Sequence, residues 1–150
     1  MPHIVEVDQS IKIEQSGPTV LAFSNGIAGA IMIPSDVKTE AIRLLVYRKR
    51  TNLEARMIVF AAGLYLLLRD RLGELGRIII DIEYEGQEEN IKAALLRYIR
   101  RTAPGYEADR IIFQRVGKKS PADAKARAVR TGRDRGYRRV TLGEMLEVFR

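Results

Sequence analysis

The chain has 150 residues, with 26 Lys or Arg against 19 Asp or Glu, a single histidine, His3, and no cysteine. With 46% hydrophobic residues it is long enough to bury one core and too short to expect two domains. Disulfides and thiolate metal sites are excluded, so any metal ion has to be held by oxygen. The longest apolar run, Met57 to Leu68, is followed at once by Arg69 and falls short of the roughly 20 residues that cross a bilayer. The N-terminus lacks the basic start and apolar body of a signal peptide, so the expected compartment is the cytoplasm. Few amides and many Arg and Glu resemble the composition of hyperthermophile proteins.

In chain order, Glu6, Asp8, Ser10, Lys12 and Glu14 alternate with Val5, Val7, Ile11 and Ile13, which predicts a strand from His3 to Glu14. After the Gly17-Pro18 turn, three further short strands are expected at Thr19 to Phe23, Ala28 to Ile33 and Glu40 to Tyr47. Ser24-Asn25-Gly26 and Pro34-Ser35-Asp36 separate them. Thr51-Asn52 opens a helix that runs to about Arg71. Gly73 and Gly76 end it, and Arg77 to Glu85 reads as a central strand. A helix from Gln87 to Arg101, a break at Ala103-Pro104-Gly105 and a strand from Arg110 to Val116 follow. Ser120-Pro121 starts a third helix that fades near Gly132, and Thr141 starts the last. A meander followed by alternating helices and strands predicts a single α/β domain over 1–150: a mixed sheet of about five strands with helices on both faces. A basic loop and a C-terminal helix occupy about 131–150.

Charge is unevenly spread. Residues 91–150 carry 16 Lys or Arg against 6 Asp or Glu, and residues 1–90 carry 10 against 13. Nine cations lie between Lys118 and Arg139: Lys118, Lys119, Lys125, Arg127, Arg130, Arg133, Arg135, Arg138 and Arg139. A polyanion is the natural partner of such a segment, and a solvated basic surface is the alternative.

Four acids stand at the starts or ends of predicted elements: Asp8, Glu54, Asp81 and Asp123. Asp81 interrupts Ile78-Ile79-Ile80-Asp81-Ile82, a run suited to a strand buried on both faces, where an unpaired carboxylate is costly. Glu83 shares its strand face by the two-residue period and is a rival or additional ligand. Thr51-x-x-Glu54 and Ser120-x-x-Asp123 also fit the capping box, as does Thr141-x-x-Glu144, so Glu54 and Asp123 have a purely structural reading beside the functional one. Carboxylates are the ligands that Mg²⁺ and Mn²⁺ prefer. No phosphate loop of GxGxxG or GxxxxGK[ST] spacing occurs, and a serine triad lacks a partner histidine.

The order of elements, together with VDQS at 7–10, TNLE at 51–54, IIIDIEY at 78–84 and SPADAKARA at 120–128, resembles the ribonuclease H-like superfamily over most of the chain up to about Thr131. Glu54 follows its threonine more closely than in the type-1 ribonuclease H motif, and Gln9 stands where a glycine is usual. The resemblance implies a divalent-metal nuclease, with Asp8, Glu54, Asp81 and Asp123 catalytic. Those four and Glu83 would hold two Mg²⁺ or Mn²⁺ ions. The expected substrate is RNA/DNA hybrid, structured RNA or branched DNA. Lys118, Lys119, Arg127, Arg130, Arg133, Arg135, Arg138 and Arg139 are the expected phosphate contacts. The alternatives are a non-catalytic nucleic-acid-binding module of the same fold and a scaffold whose basic surface meets an acidic protein.

Overall fold

The computed structural model describes residues 3–116 and 120–150. Six strands form one mixed sheet: β1 (His3–Ser10), β2 (Thr19–Asn25), β3 (Ile27–Ile33), β4 (Leu75–Asp81), β5 (Ile111–Gln114) and β6 (Arg138–Arg139). The spatial order is β5-β4-β1-β2-β3-β6. β1, β2 and β3 form the antiparallel meander, while β4 runs parallel to β1 and β5 parallel to β4. β1 therefore lies inside the sheet with a partner on each edge, and both of its faces are covered.

The two faces carry different cores because side chains alternate along each strand. Val5, Val7, Leu21, Phe23, Ile31 and Ile33 point to one side, where they meet the apolar residues of α2 (Asn52–Leu68). α1 (Ser35–Tyr47), α3 (Glu88–Ile99) and α5 (Leu142–Phe149) flank α2 in the same layer, with Ala41, Leu45, Ile91, Leu95, Met145 and Val148 in the same cluster. Val20, Ala22 and Ala30 point to the other side and pack against Ala126 and Val129 of α4 (Pro121–Arg130). The expectation of an α/β sheet with helices on both faces is met. No helix among the described residues is long and apolar enough to cross a membrane. At Gly29 of β3 a Cβ would lie 2.6 Å from the Phe23 ring, so the close approach of ring to backbone requires glycine.

Three expectations need correction. Glu40 to Tyr47 is not a strand but the C-terminal part of α1. Its buried residues Val37, Ala41 and Leu45 recur every four positions, a helical stripe that a short window read as apolar strand. Pro34 stands at the helix cap with extended backbone, and Asp36 Oδ1 accepts from the Val37 amide at 2.9 Å in the first turn. The first strand stops at Ser10 rather than Glu14. Ile11 takes φ 64°, and the chain then turns, with the Gln15 amide donating to the Lys12 carbonyl at 3.0 Å. The buried Lys38 ammonium of α1 holds that turn, donating to the Gln15 carbonyl at 2.9 Å and to Thr19 Oγ1 at 3.1 Å. The sheet has six strands rather than about five: Glu40 to Tyr47 drops out, and part of the arginine-rich segment, a loop by its sequence, joins as β6 by pairing with Ile31 and Met32 of β3.

Candidate metal centre

β1 and β4 are parallel neighbours with Val7 opposite Ile80. Both of those side chains enter the main core, so the next residue of each strand, Asp8 and Asp81, turns to the α4 side at the same level. Glu83 follows two residues after Asp81 as the chain leaves β4. Asp8, Asp81 and Glu83 each offer a carboxylate oxygen, and these three atoms lie within 4.8 Å of one another. Asp8 is only 6% exposed, and Asp81 and Glu83 are half-buried. Two backbone amides orient the cluster. Gln9 N–H donates to Asp8 Oδ1 at 2.8 Å, and Val116 N–H, just past β5, donates to Asp81 Oδ1 at 2.7 Å.

Three carboxylates this close resist ionising together when no cation lies between them. The Asp8 carboxyl is pushed up to about 6: burial raises it most, hydrogen bonds from Glu83 and the Gln9 amide offset part of that, and the charges of Asp81 and Asp123 add to the rise. Glu83 goes up to about 9, through burial first and then through its hydrogen bonds to Asp81 and Asp8 and their negative charges. A carboxyl that binds its proton this tightly holds it at neutral pH and donates it to its two neighbours. A divalent cation satisfies the same oxygens in place of that proton. The donor set is all oxygen, the chemistry of a hard ion such as Mg²⁺, Mn²⁺ or Ca²⁺ rather than of zinc or copper. The cluster can thus hold a metal ion.

The carboxylates open on a cavity of about 1400 Å³. Asp123 reaches it from the first turn of α4, whose cap Ser120 accepts the Asp123 amide at 3.1 Å. Its charge acts on Asp8, while its carboxylate is paired with Arg127 one turn along. Arg127 and Arg130 line the same cavity, and Arg130 Nε donates to Ser10 Oγ of β1 at 2.5 Å, tying α4 to the strand that carries Asp8. Lys12 and Arg115, which the sequence reading did not single out, line it too, with Arg115 paired to Glu85. The only signal for them was adjacency: Lys12 continues the polar alternation of β1, and Arg115 directly follows β5.

Glu54 does not join this cluster. α2 packs on the opposite face of the sheet, and the Glu54 carboxylate is engaged at its own helix terminus. It accepts from the Thr51 amide at 3.0 Å and faces Arg50 at 3.7 Å, the capping-box role. Of the basic residues, Arg127, Arg130, Arg133, Arg135 and Arg139 are exposed. Arg138 is tied down by Glu144 and by the Leu66 carbonyl at 3.4 Å, so part of its charge serves the packing of β6 and α5. Lys118 and Lys119 lie outside the described residues. Comparison of the chain with protein-family models, with curated proteins and with solved structures gives no match.

Proposed function

We propose that the chain is a divalent-metal-dependent nuclease of the ribonuclease H-like type, acting on RNA/DNA hybrid or on structured RNA or branched DNA. The observation that carries the reading is the convergence of Asp8, Asp81 and Glu83 from two adjacent parallel strands, in a cavity that also holds Asp123 and four cations. Bound Mg²⁺ or Mn²⁺, two ions in this reading, would supply charge stabilisation for both the attacking and the leaving oxygen of a phosphodiester. Asp8, Asp81 and Glu83 would hold the metal, and Asp123 would add a ligand by exchanging Arg127 for it. Lys12, Arg115, Arg127 and Arg130 stand around the acids, where a phosphate backbone needs neutralising, and contacts of that kind position a strand without reading its sequence. The cavity exceeds the ~300–1,000 Å³ typical of small-molecule sites, in keeping with a polymeric substrate.

A second reading, a non-catalytic nucleic-acid-binding module, is favoured by one observation: Glu54, the fourth acid of the expected set, is committed to a helix cap on the other face of the sheet. One experiment separates the two. Mn²⁺ binding is measured by calorimetry, and cutting is measured on RNA/DNA hybrid, duplex RNA and four-way DNA junctions. The nuclease reading expects saturable Mn²⁺ binding and metal-dependent cleavage of at least one substrate. Binding of nucleic acid without cleavage of any would leave the module reading.

A further inference from the structure

On the sheet face opposite the carboxylates, α2, α3 and the end of α5 enclose a second cavity of about 530 Å³, within the size range of small-molecule sites. Its floor is apolar, with Leu45, Met57 and Ala94 all buried. Its rim is cationic: Arg50, Arg97, Arg101 and Arg150 line it, and among the described lining side chains Glu54 is the one carboxylate.

The four cations are not equivalent. Arg50 faces Glu54 at 3.7 Å and Arg150 faces Glu147 at 3.6 Å. Arg101 donates to the Val148 carbonyl at 2.7 Å, which ties α3 to the end of α5. Arg97 and Arg101 both lie over the Tyr98 ring, 5.5 and 5.1 Å from its centroid, so their apolar stems and ring contact set the guanidiniums in place. Among the described residues, Arg97 donates no hydrogen bond and makes no ion pair, which leaves its fork of N–H donors available at the rim.

We propose that this cavity binds a small organic phosphate, its phosphate at the Arg97–Arg50 rim and its apolar body against the Met57 and Ala94 floor. Guanidinium forks match phosphate oxygens in bidentate fashion, and the open fork of Arg97, with Arg50 lining the same cavity, suits a phosphate better than a single carboxylate. The apolar floor gives the body a reason to enter that an inorganic anion lacks. The site is separated from the metal centre by the sheet, so it stands independently of the nuclease reading.

The test uses the full chain with a chelator present and three probes in calorimetric titration: adenosine monophosphate, adenosine and inorganic phosphate. The nucleotide is expected to saturate one site and to bind more tightly than either fragment. Arg97→Gln, a change at an exposed position, is expected to weaken it about tenfold, the loss of a charge-assisted contact. Ala93→Phe, on the exposed rim, blocks the mouth without changing charge and is expected to weaken it as well. Asp81→Asn, across the sheet, is expected to leave it unchanged. Thermal melts establish that each variant is folded. Three results would overturn the proposal: no saturable nucleotide binding, nucleotide binding no tighter than that of phosphate, or folded Arg97→Gln and Ala93→Phe variants that bind like the wild type.

Discussion

Replacing Glu83 by glutamine tests the crowding of the carboxylates directly, because it keeps the side chain's shape and its capacity to donate while removing its titration. The Glu83 carboxyl is pushed from its ordinary 4.5 up to about 9. Between those two pH values the folded chain retains a proton that the unfolded chain has released. Folding stability therefore falls as pH rises through this window, by at most about 1.4 kcal/mol per pH unit. From about pH 5.5 to about pH 8.5 the limit is roughly 4 kcal/mol; the cluster opens on a solvated cavity, and screening reduces this to roughly 2 kcal/mol. For a chain of this length that is roughly 4–8 °C in melting temperature. Asp8, raised from 3.8 to about 6, acts with the same sign but only at the acid end of the range. Thermal unfolding followed by circular dichroism in excess chelator is expected to show the wild type losing stability from about pH 5.5 to about pH 8.5 by this margin more than Glu83→Gln does. Adding Mn²⁺ at the alkaline end is expected to restore the wild type, since a cation bound only by the folded state stabilises it, and to restore the variant less. Parallel pH profiles for the two proteins would refute the reasoning, because they would mean that Glu83 titrates as an ordinary surface acid.

Asp81→Asn is expected to abolish metal-dependent cutting and to weaken Mn²⁺ binding, with a melting temperature in chelator no lower than that of the wild type; an unfolded variant would make Asp81 a structural residue. Changing exposed Arg133, Arg135 and Arg139 to Ser is expected to make the slope of log affinity against log salt for duplex nucleic acid shallower by up to about 3, near 0.9 per lost phosphate contact; an unchanged slope would place them away from the backbone. Lys38→Met leaves the carbonyl of Gln15 and the hydroxyl of Thr19 without their buried donor and is expected to cost roughly 1–3 kcal/mol in urea unfolding. Gly29→Ala forces a methyl into the Phe23 ring and is expected to cost roughly 1–3 kcal/mol in the same assay.

Much of the architecture is written in short-range pattern. Period-two alternation marked β1, the Ile78-Ile79-Ile80 run marked β4, and the Ser120-Pro121 and Thr141 caps marked the starts of α4 and α5, since each depends on neighbours within one or two turns. Asp81 was legible for the same reason, as an acid inside an apolar strand run, and Glu83 followed it by the two-residue period; Asp8, one polar residue among several on an alternating strand, was singled out only by the family resemblance. α1 was misread because its stripe of Val37, Ala41 and Leu45 is diluted in sequence by Ile42, Leu44 and Val46, and only packing against α2 shows which side is inside. β6 carries no pattern of its own; two arginines become a strand because the β3 edge is beside them. The fate of Glu54 was also undecidable locally, because Thr51-x-x-Glu54 is compatible with a cap and with a ligand. What excludes it from the acidic cluster is the face of the sheet on which α2 lies. Sequence by itself determined which residues carry charge and on which predicted element each stands, since charge and period are local properties. Tertiary structure alone decided which of them meet, because the distance between two carboxylates depends on the pairing of β1 with β4 and on the layer each helix occupies, and neither is a property of any one segment.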